Sequence, residues 1–225
     1  MKKSLKKKYE FAVIAADVAV FTIEEGELKV LLIKMKKKPF ENHWALPGGL
    51  VEGDESVDHA AMRHLKGKTG VNDLYLEQLY TFGRVDRDPF GRVVSVSYFS
   101  LVDRARLNIK TSEDYDGIRW FPVNALPALA YDHKEIIACA KKRLQSKLEY
   151  TNVVYSLLPI EFTLYDMQSA YETILGRKLD KRNFRKKIHS LNIIRKTGKK
   201  TLGEKHRPAE IYKFIKRKPK IVEIL

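Results

Sequence analysis

The sequence predicts a mixed α/β protein in two parts, an α/β sandwich followed by a smaller, strongly basic domain. Strand-like runs rich in Val, Ile and Phe alternate with segments of helical apolar spacing over the first two thirds of the chain, and the character changes after Tyr150. At 225 residues the chain has room for one domain of about 150 residues and a small second one. We expect a basic tail over residues 1–9, a first domain over 10–150 and a second over 151–225.

The first domain begins with a predicted hairpin. Residues 12–23 and 28–35 are β-rich runs separated by a turn that contains Gly26. The elements expected after it are a helix over 56–68, a second hairpin of strands 77–82 and 92–102, a short strand over 116–121 and a helix over 132–148. In that last helix Ile136, Ile137, Ala140 and Leu144 recur at helical spacing. Strands and helices mixed in this order are typical of an α/β sandwich.

The stretch from Gly49 to Val71 carries the most specific pattern. It has a Gly, then Glu after five residues, then Arg after seven more, and a closing Gly and Val; the matching positions are Gly49, Glu55, Arg63, Leu65, Gly70 and Val71. This pattern resembles a Nudix box, the signature of a family of hydrolases. The resemblance implies the Nudix α/β/α sandwich fold for the first domain.

The three positions at which the signature places helix glutamates hold His64, Gly67 and Lys68. Residues three and four apart share a helix face, so carboxylates there would converge on one Mg²⁺ ion. Glu55 is the one acid of the signature that this sequence keeps. We therefore expect no metal, no cofactor and no catalytic residue, and hence no enzyme activity. The alternative is a Mg²⁺-dependent hydrolase that uses acids from elsewhere.

The positive charge belongs to the second domain. Residues 151–225 contain 18 Lys and Arg against 7 Asp and Glu, a net +11 out of +15 for the whole chain. A local excess of this size indicates a polyanionic partner. A solvated basic surface with no partner is the alternative.

The same residues, 151–225, have the helix and strand pattern of a winged helix-turn-helix. Thr163 can cap a helix that Gly176 ends, Asp180 can cap a second helix, and two strands flank a basic hairpin. The second helix is then expected in the major groove of double-stranded DNA, with the hairpin as the wing. Base reading is expected from Arg182, Asn183 and Arg185. Phosphate contacts are expected from Lys181, Lys186, Lys187, Lys199, Lys200, Lys205 and Arg207.

Nearly the whole chain, from Ala16 to Phe214, resembles the Nudix-related transcriptional regulators. Runs such as PFENHWALPGG and ILGRKLDKRNFRKKI carry this resemblance. It implies a homodimeric repressor that binds a palindromic operator through the winged helix and senses a metabolite in the Nudix domain. In many members the metabolite is ADP-ribose or a related derivative of NAD, and in another branch it is arabinose.

The box favours a sugar as the effector. Loss of the helix glutamates removes the reason to bring a metal-bound diphosphate to this site. Lys68 could replace the charge of the metal, so an ADP-ribose-like effector is the alternative. The expected ligand contacts are Lys34, Trp44, Glu52, His64, Lys68, Arg87, Asp88 and Ser97. Trp44 is also typical of a core residue, His64 of a solvent-facing one, and Arg87 and Asp88 could pair to brace their own loop.

Two further features bear on location and domain coupling. The single cysteine, Cys139, fits a reducing cytoplasm, and the apolar run at 11–23 contains Asp17 and is too short to span a membrane. We expect a cytoplasmic protein with no membrane association. The linker near residues 149–161 holds Val153, Val154, Leu157 and Leu158, so we expect it to be packed between the domains.

Overall fold

A computed structural model of the protein describes residues 11–69, 75–107, 115–201 and 208–224. The predicted basic tail lies outside these residues, and so does the tip of the predicted wing. The first domain is a seven-stranded mixed sheet with one helix on each face. Its elements are β1 (Val13–Glu24), β2 (Glu27–Lys34), β3 (Trp44–Ala45), β4 (Gly48–Leu50), α1 (Val57–Thr69), β5 (Tyr75–Phe82), β6 (Val93–Leu101), β7 (Gly117–Pro122) and α2 (His133–Tyr150). This confirms the predicted α/β sandwich.

The sheet is organised around β1, which pairs along both of its edges. The central strand order is β3-β2-β1-β6-β5, and β7 pairs with β2. One edge of β1 runs parallel to β6 from Val13 to Phe21. The other edge is shared, since residues 15–17 pair with β4 and residues 21–24 pair with β2. β2 and β4 therefore diverge beside Asp17, and this divergence positions the ligand cavity.

Side chains of β1 pack into two hydrophobic cores, one on each face of the sheet. Ala16, Val18 and Val20 pack in one cluster with residues of α1 such as Leu65, while Phe21 packs in another with residues of α2 such as Ile137. All of these side chains are buried. The face of α2 that the sequence predicted to be apolar is thus a face that covers the sheet.

The second core continues without interruption into the C-terminal domain. Residues 151–158 are all buried, and Val153, Val154, Leu157 and Leu158 belong to the same cluster as the sheet and α2. The Gln145 side-chain amide of α2 also donates a hydrogen bond to the Ile174 carbonyl at 2.9 Å. The predicted packing of the linker is therefore confirmed.

The C-terminal domain has the winged-helix arrangement. It contains β8 (Phe162–Thr163), α3 (Leu164–Leu175), α4 (Lys181–Ser190), β9 (Ile194–Lys200) and β10 (Glu210–Phe214), with the strands in the order β8-β10-β9. Thr163 and Asp166 form a reciprocal capping box at the start of α3. Gly176 ends α3 at φ 69°, and Asp180 accepts a hydrogen bond from Asn183 N at 2.7 Å. The three predicted cap positions are confirmed.

The last residues of the chain, which the sequence analysis left without structure, fold back against the junction. Val222 N donates to the Tyr150 carbonyl at 2.9 Å, and Ile224 N donates to the Glu149 carbonyl at 2.8 Å. Arg217 donates hydrogen bonds to the carbonyls of Leu158 (2.7 Å) and Pro159 (3.0 Å). The end of the chain thus stabilises the linker. Within the described ranges no helix is long and apolar enough to cross a membrane.

We expect Thr163→Ala to lower the free energy of unfolding by about 1 kcal/mol, because the first turn of α3 loses the side-chain oxygen that accepts from Asp166 N. Thr163→Ser keeps this oxygen and is the matched control. Urea denaturation of the two variants measures the difference. Equal destabilisation by both would contradict a capping role for the hydroxyl.

Candidate ligand cavity and nucleic-acid interface

A cavity of about 230 Å³ lies where β2 and β4 diverge from β1. Its lining combines apolar and aromatic side chains with a few buried polar ones, among them Asp17, Arg87 and His133. The lining residues are Ala15, Asp17, Ile33, Met35, Ala45, Leu46, Gly48, Gly49, Leu50, Arg87, Asp88, Val93, Tyr115, Tyr131 and His133. An apolar wall with a few convergent polar groups is typical of a small-molecule site.

The floor of the cavity is built on a buried ion pair. Arg87 donates two hydrogen bonds to Asp132, from Nε at 2.9 Å and from a terminal nitrogen at 2.7 Å. The same terminal nitrogen lies 3.5 Å from Asp17 Oδ2. The side chains of Arg87 and Asp132 are 3% and 2% exposed. Charge-assisted, bidentate pairs of this kind fix orientation as well as charge, so this contact holds the loop after β5 against β1 and the start of α2.

A second layer of hydrogen bonds orients Asp17. Ser95 Oγ donates to Asp17 Oδ2 at 2.6 Å, and Ser97 Oγ lies 3.1 Å from Ser95 Oγ. His133 Nδ1 accepts a hydrogen bond from Leu46 N at 2.9 Å, so its proton is on Nε2, which lies 3.6 Å from Asp17 Oδ1. Burial lowers the pKa of His133, so the imidazole is neutral at physiological pH.

Gly48 allows the strand β4 to approach this acid. A Cβ atom at Gly48 would lie 2.3 Å from Asp17 Oδ1 and 2.6 Å from the Ala16 carbonyl oxygen. A larger residue would therefore displace Asp17 or β4. The LPGG segment that precedes the box thus has a steric role at the cavity.

An aromatic cluster also borders the cavity. Tyr131 has the unusual φ of 52°, and its ring lies 4.3 Å from that of Phe40 and 5.2 Å from that of His133. Tyr115 lines the same cavity. Flat rings beside hydrogen-bonding acids suit a ligand that has both an aromatic ring and hydroxyl groups.

Only part of the predicted ligand set reaches this cavity. Arg87 and Asp88 line it, and Ser97 lies behind it through Ser95. Lys34, Trp44, Glu52 and His64 are not among the lining residues. The side chain of Lys68 lies outside the described residues. These eight residues remain predictions as ligand contacts.

The structure places several of these side chains in other contacts. The Trp44 ring packs edge-on against Phe121 at 4.6 Å, in agreement with the core alternative. Arg87 pairs with Asp132 rather than bracing its own loop through Asp88. Asp88 instead accepts a hydrogen bond from Phe90 N at 2.8 Å.

Sequence reasoning missed Asp17, Asp132, His133 and the two tyrosines. Asp17 was interpreted only as an interruption of an apolar run, and Asp132 only as the start of a helix. A buried acid in the middle of a strand was the available signal, because an unpaired charge there would be costly.

The one signature acid that the box retains, Glu55, is held by neighbouring groups. Hydrogen bonds from Arg63 and from Glu52 N lower the pKa of Glu55 to about 2, so the remaining acid is engaged by an arginine. His64 Nε2 lies 3.2 Å from the Leu50 carbonyl oxygen, and its ring covers Gly49. In the described part of the chain, no three His, Cys, Asp or Glu side chains are grouped to hold a metal ion.

The predicted recognition helix α4 presents its charges to solvent. Phe184 and Ile188 are buried, and Phe184 packs against Tyr171 with ring centroids 5.3 Å apart. Lys181, Arg182, Asn183 and Lys186 are exposed. Among the described residues, Lys181, Arg182 and Lys186 have no ion-pair partner. These cations are therefore available to an external anion.

The other predicted DNA contacts differ in their surroundings. Arg185 is half-buried, and its Nε has no hydrogen-bond partner. Lys187 lies 3.8 Å from Glu223. Lys199 pairs with Glu161 at 2.9 Å, and Lys200 with Glu210 at 3.6 Å. Lys205 and Arg207, at the predicted wing, lie outside the described residues.

Two domain families match the chain. Residues 13–139 match the NUDIX domain, and residues 154–214 match the NrtR DNA-binding winged helix domain. The chain is 36% identical over 213 residues to the ADPR responsive transcriptional repressor NtrR of Acinetobacter baylyi, a match that covers 93% of this chain and 84% of that protein. It is also 39% identical over 137 residues to an ADP-ribose pyrophosphatase of Methanocaldococcus jannaschii, covering 61% and 79%.

Solved structures of NrtR from Shewanella oneidensis are similar to both domains. The structure complexed with a 27mer DNA has a TM-score of 0.80 at 34% identity and covers 89% of this chain and 93% of that one. The NUDIX domain of the same protein complexed with ADP ribose has a TM-score of 0.55 at 34% identity and covers 63% and 94%. The similarity therefore includes the order of the two domains as well as each fold.

We expect His133→Asn to reduce the loss of stability on acidification. The folded chain holds His133 neutral with a lowered pKa, whereas the unfolded chain takes up a proton near pH 6.5. The stabilisation is thus complete above that pH and is lost as the pH falls below it. An asparagine oxygen can still accept from Leu46 N.

Melting temperatures between about pH 7 and pH 5 measure this effect. His59→Asn, at an exposed position of α1, is the control. Parallel pH profiles for the wild type and both variants would contradict a buried neutral His133.

Proposed function

Because the chain belongs to the NrtR family of transcriptional repressors, we propose that it is a repressor whose operator binding is controlled by ADP-ribose. The observation that carries this proposal is the cavity in the NUDIX domain, whose lining combines the aromatic rings of Tyr115 and Tyr131 with the carboxylates of Asp17 and Asp88. A relative over most of the chain is named for its response to ADPR, and a related NUDIX domain was solved with ADP ribose. We therefore propose ADP-ribose rather than arabinose as the effector, since these relatives are associated with ADP-ribose and not with a sugar.

The chemistry of the cavity fits the two ends of this ligand. Asp17 and Asp88 offer carboxylate acceptors, which suit the hydroxyl groups of a ribose. Tyr131 and Tyr115 offer flat faces, which suit an adenine ring. The charge of Arg87 is already balanced by Asp132 and Asp17. Arg87 therefore acts in this proposal as a positioning residue for the floor, not as a free cation for the diphosphate.

We propose that ligand is bound without being hydrolysed. The signature positions that would supply the metal ligands hold His64, Gly67 and Lys68, and Glu55 is held by Arg63. Without carboxylates at those three positions, the box offers no converging ligands for a Mg²⁺ ion that would polarise the diphosphate. The second candidate is a Mg²⁺-dependent hydrolase, which is favoured by the 39% identity to an ADP-ribose pyrophosphatase.

We expect ADP-ribose to raise the melting temperature of the protein in the absence of Mg²⁺. We also expect ADP-ribose to be recovered intact after incubation with the protein and Mg²⁺. A ligand that binds only the native state must stabilise that state. Arabinose, NAD and ADP are the comparison ligands. A shift with arabinose alone would restore the sugar hypothesis. Mg²⁺-dependent loss of ADP-ribose that Glu55→Gln abolishes would instead assign the protein to the hydrolases.

The route from cavity to DNA in this proposal is α2. Its first turn is fixed to the cavity floor by Asp132 and His133, and its last turn leads into the buried linker. Gln145, near its end, contacts α3 directly. A ligand that displaces the floor would therefore move the helix on which the winged helix is packed. In a homodimer, such a shift changes the spacing of two recognition helices.

We expect Arg182→Ala or Arg185→Ala to weaken operator binding by about 1–3 kcal/mol if the arginine reads a base. The reason is the loss of the planar guanidinium fork, which can donate to two acceptors of a guanine. Lys142→Ala on the exposed face of α2 removes one positive charge elsewhere and is the control. Fluorescence anisotropy with operator DNA measures the affinity. Unchanged binding in both arginine variants would refute α4 as the recognition helix.

A further inference from the structure

A second cavity, of about 430 Å³, lies at the domain junction, where the C-terminal segment passes the base of the β9–β10 hairpin. Three lysines line it, namely Lys216, Lys218 and Lys220. The other lining residues are the polar Asn152 and Asn192 and the apolar Ile193, Ile215 and Pro219. None of its lining residues is acidic. The cavity shares no lining residue with the NUDIX cavity, and none of its lining residues belongs to α4.

The backbone that carries these lysines is held in place. Asn152, which is 2% exposed, donates from its amide to the Lys218 carbonyl at 3.1 Å and accepts from Lys220 N at 2.8 Å. Arg217, between the lysines, is fixed by the linker carbonyls of Leu158 and Pro159. The lysines are therefore displayed from a fixed segment rather than a loose tail, which lowers the entropy cost of binding.

The three lysines of this cavity are not paired with acidic side chains of the described residues. Within the part of the chain that the structure describes, Lys216, Lys218 and Lys220 form no ion pair, whereas other lysines such as Lys199 and Lys178 do. Three like charges around one concavity repel one another. A multiply charged anion would relieve this repulsion and receive several charge-assisted hydrogen bonds.

We propose that this junction cavity is a phosphate-binding site. The chemistry that fits it is phosphate, carried either by a small phosphorylated molecule or by the backbone of bound DNA. The junction cavity lies at the base of the β9–β10 hairpin, which is the end away from the turn between the two strands. Because Asn152 belongs to the linker, occupancy would stabilise the contact between the C-terminal segment and the domain junction.

The test uses the full-length chain with the three lysines changed to glutamine, K216Q/K218Q/K220Q. The control, K37Q/K134Q/K142Q, makes the same charge change at exposed positions that do not line the cavity. Circular dichroism establishes that both fold. Binding of inorganic pyrophosphate is measured by calorimetry at fixed ionic strength. We expect the cavity variant to bind at least about tenfold more weakly, since several charge-assisted contacts are lost, and the control to bind like the wild type.

A second arm identifies the source of the phosphate. If a phosphate of operator DNA fills the cavity, the cavity variant loses that contact and the control does not. The plot of log affinity against log salt concentration then becomes less steep, by about 0.9 for each lost contact, in the cavity variant only. An unchanged slope with lost pyrophosphate binding assigns the site to a small phosphorylated molecule. The proposal is overturned if the cavity variant and the control agree in both measurements. ADP-ribose binding in the NUDIX cavity is expected to be unaltered in either variant, so failure here is distinguishable from failure of the proposed function.

Discussion

The guanidinium of Arg87 lies between the carboxylates of Asp132 and Asp17, and the shape of the ligand cavity depends on this buried contact. It joins three segments that are far apart in the chain: β1, the loop after β5, and the start of α2. Removing one partner of such a pair typically costs about 3–5 kcal/mol, because the remaining charge stays buried without compensation. The floor therefore behaves as one unit, in which a change at any member reaches the others.

This unit matters for control because α2 connects it to the other domain. One hydrophobic core runs from the sheet through α2 and the linker into α3, and the C-terminal segment closes over it. Packed cores shift between discrete arrangements rather than deforming continuously. In the proposed function, α2 can couple the two sites directly, since its His133 lines the cavity and its Gln145 contacts α3 of the DNA-binding domain.

Local sequence predicted those features that local physics determines. The caps at Thr163, Gly176 and Asp180 each depend on residues within one helical turn, and both hairpins of the first domain depend on nearby strands. The parallel pairing of β1 with β6 joins residues that are about 80 apart, and no local pattern encodes it. The partner of Arg87 was missed for the same reason, because Asp132 is 45 residues away whereas Asp88 is adjacent.

The effector is a second feature that the sequence did not determine, for a different reason. The loss of the helix glutamates was interpreted as favouring a neutral sugar over a diphosphate. The cavity, however, is lined by Gly49 and Leu50 at the start of the box, whereas His64 and Gly67 on the helix are not among its lining residues. Its hydrogen-bond acceptors suit the hydroxyl groups of ADP-ribose as well as those of a free sugar. The box alone therefore could not distinguish the two effectors. The aromatic residues at 115 and 131, which the sequence analysis did not single out, favour the larger ligand.

In the proposed function, the ADP-ribose site and the DNA site of one protein are coupled. Calorimetry can measure the ADP-ribose affinity twice, on the free protein and on the protein saturated with operator DNA. We expect DNA to weaken ADP-ribose binding by the same factor by which ADP-ribose weakens DNA binding, as linkage requires. Identical ADP-ribose affinities in the two states would contradict effector control of this repressor.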